Sequence, residues 1–245
     1  MTSKVQESVS QRPPPCNDGT IYRNKGNLDL LKLIPGTAAR FLDVGCGAGD
    51  NARLLRRRIP SARIDCITAS GAEAQEVRQH ADEVWVWNLE DGLPPDIPRG
   101  VYDVILLSHV LEHLRCPWDL LDDLSNVAEP ANGIALVALP NIGFWRTRLA
   151  LAFNGFRYSD SGMFDRTHLR FFSWPSVELD LIGRQASWLV TAKSATGLAP
   201  MFWLRRVKVL ESLCARLDRF AGKVAPGLFG WQMILCLGHL RGLRK

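Results

Sequence analysis

Short apolar runs alternate with mixed stretches along the first 140 residues. ARFLDV (39–44), ARIDCIT (62–68), EVWVW (83–87), YDVILLS (102–108) and GIALVAL (133–139) have strand length and strand composition. Between them, residues 49–58, 72–80 and 117–128 read as helices, the last with Pro117 at its start, where a missing N–H costs nothing. YDVILLS is apolar almost throughout, which suits a central parallel strand covered on both faces. Strands alternating with helices predict an α/β fold with a doubly wound, mostly parallel sheet. After residue 140 the pattern loosens. FWRTRLALAF (144–153) predicts an amphipathic helix, and 154–172 a polar, aromatic, glycine-dotted connection. Residues 174–185 then read as a helix, 187–195 as a strand, 200–224 as a basic amphipathic helix and 230–238 as a final strand. No internal repeat interrupts this order.

The chain has 245 residues, 47% of them hydrophobic, enough for one full α/β domain. No apolar run approaches the roughly 20 residues of a membrane span. Residues 1–19, MTSKVQESVSQRPPPCNDG, lack the apolar centre of a signal peptide and are expected to form a mobile tail, leaving 20–245 as a single domain. Cysteines 16, 46, 66, 116, 214 and 236 form no C-x-x-C pair, so reduced thiols and a cytoplasmic setting are expected. A net charge of +5 does not by itself indicate a nucleic-acid partner.

The candidate chemistry begins in RFLDVGCGAGDNARLL (40–55), where Gly45, Gly47 and Gly49 follow the first strand and open a helix. In open α/β sheets, ligands bind beyond the carboxyl ends of strands, at such a turn. Glycine there permits φ > 0 and close approach, and the free N–H groups of the helix start face a negative group. A dinucleotide fingerprint would place its third glycine at residue 50, which is Asp50, a carboxylate that would oppose a pyrophosphate. The G-x-G-x-G spacing, preceded by Asp43, suits a ligand carrying both a carboxylate and an ammonium.

With these residues in view, the chain resembles the class I S-adenosylmethionine-dependent methyltransferases. FLDVGCGAGD is similar to their first motif and YDVILLSHVLEHLRCPWDLL to their fourth-strand segment. LPNIGFWRTRLAL followed by DRTHLRFF resembles a bacterial subset that accompanies glycan, lipid or secondary-metabolite synthesis. The resemblance spans roughly residues 38 to 195. It implies a seven-stranded sheet of order 3-2-1-4-5-7-6 with an antiparallel last strand, a helical insert over about 141–173 on the acceptor side, and S-adenosylmethionine as cofactor. It places Asp43, Gly45, Cys46, Gly47 and Gly49 at the methionine end, Thr68 at the ribose, Asn88 and Leu89 at the adenine, and Ser108 at the end of the fourth strand.

Two of these positions depart from the family pattern. An acid usually ends the second strand and holds both ribose hydroxyls; here the position is Thr68, a loss of roughly 1.5–3 kcal/mol of charge-assisted bonding. Asp65 is three residues back and should face away; Glu73 in the next helix is a candidate substitute. The acid expected after the third strand is Asn88, which keeps a carbonyl acceptor.

The implied reaction is in-line methyl transfer, expected to be O-methylation of a small molecule or of a glycan or lipid intermediate. A hydroxyl acceptor needs a base near neutral pH. The candidates are His168 in DRTHLRFF and His109, the latter weighed chiefly as a pocket-lining residue; His113 reads as a packing residue of the loop before Pro117. Trp145, Arg146, Asp165, Arg166 and Arg170 are the candidate acceptor contacts. HVLEH offers His109, Glu112 and His113 as metal ligands without a clear fourth, so no metal is expected. The basic helix at 200–224 is a candidate for peripheral contact with the inner face of a membrane, against the plainer reading of a solvated face. Three other functions compete: a degenerate cofactor-fold partner protein, favoured by Thr68 and Asn88; a nucleic-acid methylase, disfavoured because SHVLEH stands where such enzymes carry an acid- or Asn-Pro-Pro-aromatic motif; and a dehydrogenase, disfavoured by the glycine spacing.

Overall fold

A computed structural model describes residues 21, 24–183, 187–201 and 208–240. The 1–19 tail, Arg205 and Arg206 lie outside the described residues. In chain order the elements are α1 (Leu28–Leu31), β1 (Arg40–Val44), α2 (Asp50–Arg58), β2 (Arg63–Thr68), α3 (Gly71–Val77), β3 (Glu83–Val86), β4 (Val104–Ser108), α4 (Pro117–Ser125), β5 (Ile134–Pro140), α5 (Trp145–Asn154), α6 (Val177–Leu181), β6 (Trp188–Gly197), α7 (Glu211–Val224), α8 (Pro226–Phe229) and β7 (Gly230–His239).

The strands form one sheet of order β3-β2-β1-β4-β5-β7-β6, with β7 antiparallel to both its neighbours. Strand alternation divides the core into two layers. Leu42, Ile105, Leu107 and Val137 face α4 and α6, whose Leu120, Leu121, Leu124, Val177 and Leu181 cover them. Phe41, Val104, Leu106 and Leu136 face the other way, onto Leu30 and Leu31 of α1, Ala52 and Leu55 of α2 and Ala74 and Val77 of α3. Each fully buried branched side chain contributes about 1.5–3 kcal/mol relative to exposure. The same alternation turns Asp65 away from the ligand edge: it is buried and accepts hydrogen bonds from the Tyr102 hydroxyl at 2.9 Å and Arg63 Nε at 3.1 Å.

Two expected helices differ. The helix over 144–153 was expected to be amphipathic, but among the residues of α5 only Thr147 is buried, and Phe153 is 81% exposed. Leu149 and Phe153 lie about 40° apart on one side of the helix and Leu151 about 160° from both, so the three cannot all share one face, and all are exposed. The helix is held at its start, where Trp145 Nε1 donates to the Leu198 carbonyl at 2.7 Å. The basic helix expected over 200–224 is described as α7, beginning at Glu211. It buries Cys214 and Gly222 against β6 so closely that a Cβ on Gly197 would lie 2.0 Å from the Asp218 carbonyl. Leu213, Leu217, Phe220 and Val224, spaced by four, three and four, form an exposed apolar stripe. Arg216, Arg219 and Lys223 run exposed along one side of it.

Candidate functional site

β1 ends under the carboxyl edge of the sheet, and the chain turns there through Gly45, Gly47 and Gly49 at φ 66°, 53° and 79°. All three lie in the left-handed region that side chains with a Cβ avoid. A Cβ on Gly45 would also meet Val110 Cγ2 at 2.6 Å, and one on Gly49 would meet Val77 Cγ2 at 3.0 Å. Gly49 caps α2 by geometry alone, with no side-chain bond. Cys46 is buried, its N–H donating to the Ile67 carbonyl at 2.9 Å. Asp50 pairs with Arg53.

Asp43 is buried behind the turn. Asn51 donates to it, yet its Oδ2 has no hydrogen-bond partner among the described residues. Burial outweighs the Asn51 bond and pushes its carboxyl up to about 7. An orphaned buried carboxylate oxygen is rare and calls for an explanation.

At the end of β2 the Thr68 hydroxyl donates to Glu73 Oε2 at 2.6 Å, both residues being buried. A carboxylate from α3, one helical turn after the Ser70 cap, thus meets the Thr68 hydroxyl at the end of β2. Asn88 caps the turn that follows β3: its Oδ1 accepts the Glu90 N–H at 3.1 Å, leaving one lone pair for a further donor. Leu89 packs partly buried beside it.

Beyond β4 a connected polar chain crosses the mouth. Ser108 Oγ accepts from Asn27 Nδ2 at 3.1 Å, and Asn27 Nδ2 also donates to Gln232 Oε1 at 2.9 Å. That same oxygen accepts from His109 Nε2 at 2.7 Å, while His109 Nδ1 meets Glu112 Oε1 at 3.2 Å. His109 has φ 59°, an uncommon conformation for a residue with a Cβ. Its ring stacks on Trp231, with centroids 6.1 Å apart. Burial pulls its pKa down, but the bond and charge of Glu112 outweigh that and leave it raised. With a partner at each nitrogen, Glu112 at Nδ1 and Gln232 at Nε2, His109 is fixed on both sides of its ring at the mouth.

The insert places the remaining candidates apart. Arg146, with Phe144, Thr147, Ala150, Met163, Phe164 and Trp231, lines a cleft of about 280 Å³. Trp145 is engaged with Leu198, and Arg166 pairs with Asp160 at 2.6 Å on the surface. Arg170 donates to the Arg115 carbonyl and lies 5.2 Å over the Trp118 ring. Asp165 accepts the N–H and hydroxyl of Thr167, at 2.9 and 2.7 Å. His168 packs edge-on against His113, with centroids 4.8 Å apart. Asn27, Trp231 and Gln232 escaped the sequence reading. Gln232 left one trace, a lone amide in the apolar run GWQMILCLG.

A family model described as a methyltransferase domain matches residues 19–184. Among curated proteins, the trans-aconitate 2-methyltransferase of Azoarcus sp. strain BH72 is 30% identical over 119 residues, covering 48% of this chain and 46% of that protein. The match thus spans about half the length of that relative. Among solved structures, a SAM dependent methyltransferase from Archaeoglobus fulgidus superposes with a TM-score of 0.53 at 18% identity, over 86% of this chain and 91% of its own. The geranyl diphosphate C-methyltransferase of Streptomyces coelicolor A3(2) gives 0.53 at 15%, over 86% and 75%. At these identities the two structures speak for the fold.

Proposed function

The chain belongs to the class I S-adenosylmethionine-dependent methyltransferase family, and from that premise we propose that it binds S-adenosylmethionine over the β1 turn and methylates an oxygen of a small, acidic acceptor. The orphaned Oδ2 of Asp43, buried beneath three left-handed glycines, carries the reading. It fits a ligand that brings its own N–H or O–H donor. Glu73, steadied by Thr68, is the carboxylate placed to take the ribose, with Asn88 and Leu89 toward the adenine.

S-adenosylmethionine supplies an electrophilic methyl when bound, so the chain's own task is alignment and exclusion of water. The acceptor side supports an anion. His109, its pKa raised by Glu112 against the effect of burial, is fixed at the mouth, Arg146 lies on the cleft, and the cleft walls are otherwise mostly aromatic or apolar. A carboxylate or phenolate oxygen needs no base, which suits a mouth whose histidine is engaged at both ring nitrogens. A sugar hydroxyl on a glycan or lipid-linked intermediate needs one, and His168 is the candidate left for it.

Calorimetry tests the first half. S-adenosylmethionine should bind at one site with a Kd below about 1 mM, within the usual range for enzyme ligands. Absence of heat at millimolar cofactor would sink the reading in favour of a degenerate partner protein. Methyl-labelled cofactor in a cell extract tests the second half. Label in water-soluble acids supports the small-molecule acceptor; label in the lipid-extractable fraction points to a lipid-linked one.

The stripe on α7 extends the proposal to location. An apolar face flanked by Arg216, Arg219 and Lys223 matches an anionic membrane surface. The protein should cosediment with phosphatidylglycerol vesicles and not with phosphatidylcholine vesicles, and less so in high salt. Phe220→Glu should abolish cosedimentation; equal pelleting of this variant would exclude α7 as the contact.

A further inference from the structure

We propose that Glu112, His113 and His168 form a binding site for one divalent first-row cation, Zn(II) being the probe of choice. Three polar side chains from two distant segments converge here: Glu112 and His113 from the turn after β4, and His168 from the insert. One ligand atom from each lies within 4.8 Å of the others.

The hydrogen bonds around the cluster fix which ring nitrogens carry a hydrogen. Thr167 Oγ1 donates its proton to Asp165 Oδ1 at 2.7 Å. His113 Nδ1 lies 3.0 Å from that hydroxyl oxygen and 3.2 Å from the Thr167 carbonyl. A carbonyl cannot donate, and the hydroxyl proton is already committed, so His113 Nδ1 carries the hydrogen. His168 Nδ1 lies 3.1 Å from the Met163 carbonyl and is a donor for the same reason. Both rings, when neutral, therefore present a bare Nε2. Nδ1–H anchored on a backbone carbonyl with Nε2 left as ligand is the usual outer arrangement of a metal-bound histidine.

Glu112 supplies the second, independent observation. The residue is fully buried; its Oε1 is taken by His109, and its Oε2 has no hydrogen-bond partner among the described residues. A buried carboxylate oxygen left bare, on a residue that has a ligand atom within 4.8 Å of one from each of two histidines, is costly unless something positive joins them. Two neutral imidazoles and one carboxylate are a borderline donor set that takes Zn(II) and its neighbours, with positions left open. Bonds of about 2.1 Å set ligand atoms no more than about 4.2 Å apart, so small side-chain rotations close the site.

The backbone prepares it. The Leu169 and Arg170 N–H groups donate to the Glu112 carbonyl at 2.8 and 3.0 Å, seating the insert on the β4 turn. Asp165, a candidate acceptor contact from sequence, holds Thr167, whose hydroxyl and carbonyl oxygens in turn face His113 Nδ1. If the methyl-transfer reading holds, an open coordination position beside the mouth would hold the acceptor oxygen and lower its pKa, replacing a general base. That role rests on the reading above; cation binding does not.

The test is calorimetric titration of the chelator-treated, full-length protein with Zn(II) alone, and with Co(II) followed by visible absorption. One equivalent should bind, and Co(II) should develop d–d bands of a low-coordinate imidazole site. Outer partners of metal ligands are worth 10–100-fold, so His168→Ala should weaken binding by more than about 100-fold. Glu112→Gln should do the same. If that buried change unfolds the protein, His168→Ala, on the half-exposed insert and checked by circular dichroism, decides. No Zn(II) uptake by the wild type, or unchanged uptake by folded His168→Ala, overturns the proposal. S-adenosylmethionine calorimetry on the same sample is independent, so either reading can fail alone.

Discussion

Asp43→Asn should make the protein more stable at pH 8 and, in the same variant, a poorer cofactor binder. The carboxyl is buried with one oxygen unpaired, and burial raises its pKa from 3.8 to about 7. Between those values the folded state holds a proton that the unfolded state has released. The unfolded chain thus binds fewer protons, and stability falls as pH rises from about 4 to about 7. Above pH 7 the full cost is in force, on the order of 4 kcal/mol at 1.36 kcal/mol per unit. Asparagine is neutral at every pH and keeps the shape. Its melting temperature should exceed the wild type's at pH 8 and converge with it near pH 4. Cofactor affinity should move the other way, falling about 10–100-fold, the scale of one charge-assisted hydrogen bond. Wild-type affinity should rise with pH up to about 7 and level off, because the ligand's donor selects the ionised carboxylate. The variant should lose that slope. A flat wild-type profile, or an asparagine variant that is no more stable at pH 8, would show that Asp43 has a partner already and is not waiting for a ligand. Stability surrendered at one buried group in exchange for binding is the usual pattern at functional sites.

The elements that sequence reading placed well are those whose signal is local. β1, β2, β4 and β5 are largely apolar runs with turn residues at both ends, and they are buried almost throughout, as strands of a sheet covered on both faces are. The glycine turn was legible because left-handed φ leaves few residue choices. What escaped depends on pairings far apart in the chain. Asn27 and Gln232 are 205 residues apart and meet only because β7 returns antiparallel beside β5. Glu112 read as one of three candidate ligands lacking a partner, until the insert brought His168 onto it. The α5 helix misled for the opposite reason: its composition suggested a buried face, but its apolar residues do not fall on one. Arg166 and Arg170 were inviting as anion ligands by type, and they are held by Asp160 and by the Arg115 carbonyl. Charge alone does not say which way a side chain is tied.

Gly45→Ala should abolish measurable cofactor binding while leaving a folded, weaker protein. Two costs act together. At φ 66° an L-residue pays roughly 1–2 kcal/mol for the left-handed backbone. The added Cβ would stand 2.6 Å from Val110 Cγ2, and Val110 is packed into the core and cannot withdraw, adding overpacking of about 1–3 kcal/mol. The sum, about 2–5 kcal/mol, should lower the melting temperature by at least about 4 °C in a chain of this size. The binding loss has a separate source. Gly45 is exposed at the carboxyl edge, and any shift that relieves the clash carries the turn outward, into the space a ligand must approach. Affinity should fall by more than about 100-fold. Gly45→Ala combined with Val110→Ala separates the terms: removing the clash should recover part of the stability, whereas the φ cost remains, and the pair should show non-additive coupling. Gly36→Ala is the control, since its Cβ meets nothing within 4 Å at an ordinary φ, and it should change neither quantity beyond about 0.5 kcal/mol. A Gly45→Ala protein that binds S-adenosylmethionine like the wild type would mean that the turn serves packing alone, and the ligand would have to be sought elsewhere on the sheet.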